Sequence, residues 1–210
     1  MRMTYLFDPL CGWCYGAGPA LERLARTDGI TLQLAPTGLF AGENARSLDA
    51  SFAAYAWQND QRIARLTGQP FSEAYRSRVL GAVGGMFDSA PATLGIVAVA
   101  LTEPAGELAA LKALQHARYV EGRDNAERAV VCEILSEAGF AAASLRVRSP
   151  DADLLGAYRR RIDAARSDMS GLGASGVPAL VVGEGAARRL LPGSVLFAGP
   201  EALARELRAA

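Results

Sequence analysis

Two cysteines, Cys11 and Cys14, flank Gly12 and Trp13 in the stretch DPLCGWCYGAGP, which runs from Asp8 to Pro19. A thiol pair at this spacing is half of a zinc site, a redox-active dithiol, or a coincidence. A structural zinc site normally needs four ligands. The remaining candidates are Cys132 and the sole histidine, His116, both far along the chain in segments that read as helix, so no metal is expected. As a redox couple, the pair would cycle between dithiol and disulfide through a covalent mixed intermediate. Three cysteines in 210 residues are too few, and odd in number, for a framework of structural disulfides.

What such a pair can do depends on the elements that hold it. MTYLFD, just ahead of it, is a short aromatic and branched run that reads as a buried strand. YGAGPALERLART then sets Leu21, Leu24 and Ala25 at helical spacing, with Glu22 and Arg23 on the other face, and Asp28-Gly29 ends it. ITLQLAP alternates as a second strand. The first forty residues thus read β-α-β, with the cysteines where strand turns into helix. Unpaired N–H groups and the positive end of the helix dipole favour a thiolate there. Cys11, at the exposed end, is the expected attacking nucleophile, and Cys14, one turn further in, the resolving thiol. Asp8 would hydrogen-bond near the helix start or accept a proton from Cys14, with the structural role favoured. Trp13 is expected to be partly exposed, either as an apolar lip for substrate or packed against the helical insertion.

From about Ser47 to Met169 the sequence changes character. Five Ala/Leu-rich segments with apolar residues three and four apart, separated by Gly, Pro or Asp-Asn punctuation, read as a block of helices. Asp124 or Asn125 would cap the segment AERAVV. On its apolar helical face, Cys132 reads as a small buried hydrophobe, His116 as a structural or surface residue, and Arg159–Arg161 as a solvated face. The glycines of GAVGG, Gly81 to Gly85, follow no strand and lack the Lys-Ser/Thr of a phosphate loop. The tail returns to strands in GVPALVVGE and GAARRLLPGSVLFAG and closes on the amphipathic helix GPEALARELRAA. The expected architecture is α/β: residues 1–42 and 170–210 form one discontinuous domain, split by a helical insertion over 43–169.

Composition sets outer bounds. Half the residues are apolar and 21% are charged, as in a soluble globular protein. A formal net charge of zero advertises neither nucleic acid nor an anionic membrane as partner. MRMTYLFDPLC lacks the pattern of a secretory signal, and no stretch is apolar enough to span a membrane. A cytoplasmic location is the expectation.

The sequence resembles the thioredoxin superfamily and, within it, the DsbA-like thiol-disulfide oxidoreductases with a helical insertion. CGWC follows an N-terminal strand, Pro19 falls five residues past Cys14 where active-site helices of that fold often kink, and SGVPALVV follows the helical block. The segments ARYVEGRDN and ILSEAGF look like the helical region of the cytoplasmic, FrnE-like branch. The resemblance implies a thioredoxin fold with an inserted all-helical domain, and dithiol-disulfide exchange or isomerisation without metal or organic cofactor. It implies catalysis by Cys11 and Cys14, with Asp8 and Gly12 in the active-site loop. Val177 and Pro178 would form the family's cis-proline loop, which offers backbone groups to an extended substrate, with Trp13 shaping the groove. Its partners would be cysteine-containing proteins and glutathione. Strongly oxidising members carry a histidine where this chain has Trp13; an indole cannot stabilise a thiolate as a histidinium does, so a weaker oxidant is expected. Two other activities compete. One is a glutathione-dependent transferase or isomerase, whose relatives use a serine near this site; the other is a non-enzymatic holdase using the groove beside the cysteines.

Overall fold

Strand β1 (Arg2–Phe7) is the spine of a four-stranded sheet in the computed structural model, which describes residues 1–208. It pairs in parallel with β2 (Thr31–Pro36) on one side and antiparallel with β5 (Ala179–Val182) on the other; β6 (Arg189–Leu191) pairs antiparallel with β5, giving the order β2-β1-β5-β6. Met3, Tyr5 and Phe7 point into the main core, whereas Leu6 packs with Ala165, Ala179 and Val181 on the opposite face. Both faces are covered, which is why this strand reads as a nearly unbroken apolar run.

Helices α1 (Gly12–Gly16) and α2 (Gly18–Ala25) link β1 to β2. They are one helix broken at Pro19, which has no N–H to give the Tyr15 carbonyl. That carbonyl accepts instead from the Gln69 side chain at 3.3 Å.

Between β2 and β5 lie α3 (Ala50–Thr67), α4 (Glu73–Tyr75), α5 (Ala90–Thr102), α6 (Glu107–Tyr119), α7 (Arg128–Glu137), α8 (Ala141–Arg148) and α9 (Ala152–Leu172). Ala92 to Val99 of α5 are all buried, the mark of a helix surrounded on every side. A Cβ on its Gly95 would meet Val131 at 2.8 Å, so α5 and α7 approach closely there. Helix α10 (Pro200–Arg208) ends the described chain. Among the described residues no helix is long and apolar enough to cross a membrane.

The five segments with helical spacing are helices. Three further elements lie in this part of the chain: α4, running into a π turn at Arg76–Leu80; α8; and a ribbon of β3 (Arg46–Ser47) with β4 (Met86–Phe87). Helix α8 buries only Ala143, Ser144 and Val147, small side chains that give little periodic signal.

Two local expectations are corrected. Arg161 is not solvated: its guanidinium binds the Leu34 carbonyl and Glu107, tying α9 to β2 and α6. Asp124 and Asn125 do not cap α7, whose N-cap is Glu127. Both instead accept hydrogen bonds from the fully buried Arg118, and that stronger claim on their oxygens overrides capping. Cys132 is buried in α7 and His116 is exposed beside Glu121, as their sequence contexts suggest.

Candidate active site

The turn leaving β1 builds the site. Asp8 is fully buried and its carboxylate accepts from Leu10 N (2.9 Å), Phe40 N (3.1 Å) and Ser89 Oγ (2.7 Å). Its backbone carbonyl accepts from Cys11 N at 3.1 Å. The side chain thus pins the turn to the loop after β2 and to the start of α5. Burial raises the Asp8 carboxyl above its ordinary range, and those donors offset part of the rise. Ser89 and Phe40 are long-range partners that no local pattern announces.

Cys11 is the N-cap of α1, in extended conformation, and its side chain makes no capping bond, which leaves the sulfur free. It is 8% exposed, whereas Cys14 is 0% exposed. That difference gives the two thiols their order of access. Burial lifts the Cys14 thiol well above its usual value, and neighbouring Cys11 adds to the effect. Tyr5 donates to the Cys14 carbonyl at 3.2 Å and closes the site from beneath.

The register of β5 brings in the second half. Leu6 opposes Ala179 in the antiparallel pair, so extending the ladder sets Pro178 and Val177 beside Phe7 and Asp8. The Val177–Pro178 peptide is cis. Cys11 Sγ lies 3.7 Å from the Val177 carbonyl, at the range of a weak S–H···O contact across 166 positions of chain. All seven residues singled out from the sequence therefore sit in one neighbourhood: Asp8, Cys11, Gly12, Trp13, Cys14, Val177 and Pro178.

Sequence reasoning missed the far wall. A cleft of about 340 Å³ opens beside Cys11, Gly12 and Trp13, and α3 supplies Phe52, Tyr55 and Asp60 to it. Trp13 is half-buried, edge-on to Phe197 at 5.3 Å, with the Arg62 guanidinium 5.9 Å from its ring. It therefore both packs and faces the cleft. Beneath the cleft, Tyr119 donates to the Leu10 carbonyl at 2.8 Å and Tyr75 donates to Asp60 Oδ2 at 3.0 Å. Two guanidinium nitrogens of Arg118 have no hydrogen-bond partner, and the cation instead lies 5.2 Å from the Phe87 ring and 5.7 Å from that of Tyr75. A signal did exist: Asp60 falls on the stripe Ala53, Ala56, Ile63, and Arg118 on the stripe Leu111, Leu114. A charge inside an apolar stripe marks either a buried network or a site.

Gly12 is required by this wall. A Cβ there would overlap Asp60 Oδ1 and crowd Ile63 at 3.2 Å. Gly12→Ala should therefore cost about 1–3 kcal/mol by overpacking, read as a fall of about 2–12 °C in the thermal midpoint. An unchanged midpoint would mean that α3 does not bear on the active-site turn.

Comparison with known proteins places the fold. The model of the DSBA-like thioredoxin domain family matches residues 3–198. The cytosolic disulfide reductase DsbM from Pseudomonas aeruginosa is similar at 32% identity and TM-score 0.86, with 100% of each chain covered. Its structure with GSH is similar at 32% identity and TM-score 0.81, covering 99% of this chain and 100% of that one. A putative protein disulfide isomerase from Nitrosomonas europaea is similar at 27% identity and TM-score 0.80, with 99% and 96% covered. No curated protein matches the chain. On the family match over nearly its whole length, the chain belongs to the DSBA-like thioredoxin domain family of oxidoreductases.

Proposed function

We propose that this protein is a thiol-disulfide oxidoreductase that works mainly as a disulfide reductase in the cytoplasm, on cysteine-containing proteins and on small disulfides such as those of glutathione. Cys11 attacks the substrate disulfide, Cys14 resolves the mixed disulfide, Val177 and Pro178 align the substrate strand, and Trp13 forms one lip of the cleft. The observation that carries this reading is the position of Cys11 Sγ. It lies 3.7 Å from the Val177 carbonyl at a cleft mouth, with Cys14 buried behind it. A substrate strand docked on that carbonyl would have its disulfide within reach of one thiol alone.

The reducing direction is supported by Trp13 in place of a cation beside Cys14 and by the likeness to a protein named as a cytosolic disulfide reductase. The structure of that relative with GSH supports the small-thiol substrate.

The test is to trap the intermediate. Cys14→Ser should accumulate a mixed disulfide on Cys11 with glutathione disulfide, seen as a mass increase that dithiothreitol removes. If no adduct forms on Cys11 in this variant, the assignment fails.

A further inference from the structure

Exchange at Cys11 releases a thiol into the cleft, and an ionisable group is already there. Asp60 reaches in from α3, its Oδ1 against Gly12, the residue next to Cys11, and both Asp60 and Cys11 line the same cleft. Asp60 is only 4% exposed and its other oxygen is held by the Tyr75 hydroxyl. This separates it from Asp8, whose oxygens are taken up by Leu10, Phe40 and Ser89.

We propose that Asp60 is a catalytic acid–base residue that exchanges a proton with the thiol leaving or entering the cleft. The proposal deepens the oxidoreductase reading above and rests on it. In the reductive step the Cys11 thiolate attacks R–S–S–R′. The Cys11–S–R bond forms, the S–S bond breaks, and its electron pair leaves on R′–S⁻. The Asp60 carboxyl gives that sulfur its proton, releasing R′–SH and leaving a carboxylate. Cys14 then attacks Cys11, the Cys11–S–R bond breaks, and R–SH leaves with the Cys14 proton as the Cys11–Cys14 disulfide closes. When a small thiol later reduces that disulfide, the Asp60 carboxylate takes the thiol proton, the resulting thiolate attacks Cys11 and Cys14 leaves as a thiolate; a second thiol then attacks the sulfur of the first, freeing the Cys11 thiolate, and its proton restores the Cys14 thiol. The proton that left with the product returns with the reductant.

The surroundings suit the role. Near Asp60 are the Tyr75 hydroxyl, the Arg118 guanidinium and Tyr119, and Cys11, Arg46 and Tyr55 line the same cleft. Burial pushes the Asp60 carboxyl up to about 7, while the Tyr75 bond and the Arg118 charge pull it down. An acid–base group works best when it titrates near the working pH.

Leaving-group chemistry tests this. Hydroxyethyl disulfide expels an alkyl thiolate that needs a proton near neutrality, whereas dithiobis-nitrobenzoate expels an aryl thiolate that does not. Asp60→Asn keeps the size of the side chain and an acceptor for Tyr75. In single turnovers of the pre-reduced protein it should slow the alkyl disulfide about 10²-fold and the aryl disulfide less than about twofold, and should abolish the limb near pH 7 in the alkyl profile. Tyr75→Phe, which removes a donor to the carboxylate, should shift that limb to higher pH. Equal slowing of both disulfides by Asp60→Asn, a limb that survives in it, or a limb unmoved by Tyr75→Phe would each overturn the proposal and leave the oxidoreductase reading standing. A wild-type protein that reduces neither disulfide would overturn both.

Discussion

Replacing Cys11 by serine should lower the rate of disulfide reduction by at least about 10³-fold, a barrier increase of about 4 kcal/mol. The thiolate is the nucleophile in exchange, and a serine hydroxyl stays protonated at neutral pH and attacks sulfur poorly. No other thiol can substitute. Cys14 is 0% exposed and its burial favours the protonated form, and Cys132 is enclosed in α7. The fold should hardly notice the change. Cys11 caps α1 without a side-chain bond, and its contact with the Val177 carbonyl is a weak one at 3.7 Å that a hydroxyl can reproduce. A thermal midpoint within about 2 °C of wild type, which corresponds to less than about 1 kcal/mol, with activity gone, is the expected pair of results. Activity within tenfold of wild type would place the chemistry elsewhere.

The two halves of the site differ in how much of them the sequence displayed. The Cys pair and its helix were legible because their information is local: an apolar strand, a turn, and a helix whose proline break falls at Pro19. The cis-proline loop was legible through family resemblance, since nothing in GVP by itself says that it pairs back onto β1 over more than 170 residues. The wall from α3 was not legible. Its function depends on which face of α3 meets α1, and a period of 3.6 residues indicates a buried face without naming what covers it. The place of Asp60 on an apolar stripe was its one trace in the sequence; only contact with Gly12 and Tyr75 turns it into a group lining the cleft. Arg161 and Asn125 were misread for the same reason. Their partners, Leu34 and Arg118, lie across the fold or are themselves hidden charges. Short polar segments carry propensity and capping signals, and long-range hydrogen bonds override them.

Asp60 should also make stability depend on pH, with a sign opposite to that of a salt-bridged carboxylate. Its carboxyl moves from an ordinary 3.8 to about 7 in the fold because burial disfavours the charge. Between those two values the native protein keeps a proton that the unfolded chain has lost, so the native state binds more protons and the unfolding free energy falls as pH rises. The loss begins just above the unfolded value and is complete above the folded one. At 1.36 kcal/mol for each pH unit of that window, it amounts to something on the order of 4 kcal/mol. Asp8 and Glu107, also raised by burial, add losses of the same sign, so the wild-type curve alone does not isolate Asp60. The difference between proteins does. Urea unfolding at pH 4.5 and pH 8 should show wild type losing several kcal/mol more than Asp60→Asn across the interval, with the variant the more stable of the two at pH 8. Equal losses would mean that Asp60 is ionised and solvated in the native protein. If the variant gains stability at pH 8 and loses reduction of alkyl disulfides, the buried carboxyl weakens the fold at the pH where it serves the chemistry. Active sites commonly hold such groups at a cost in stability.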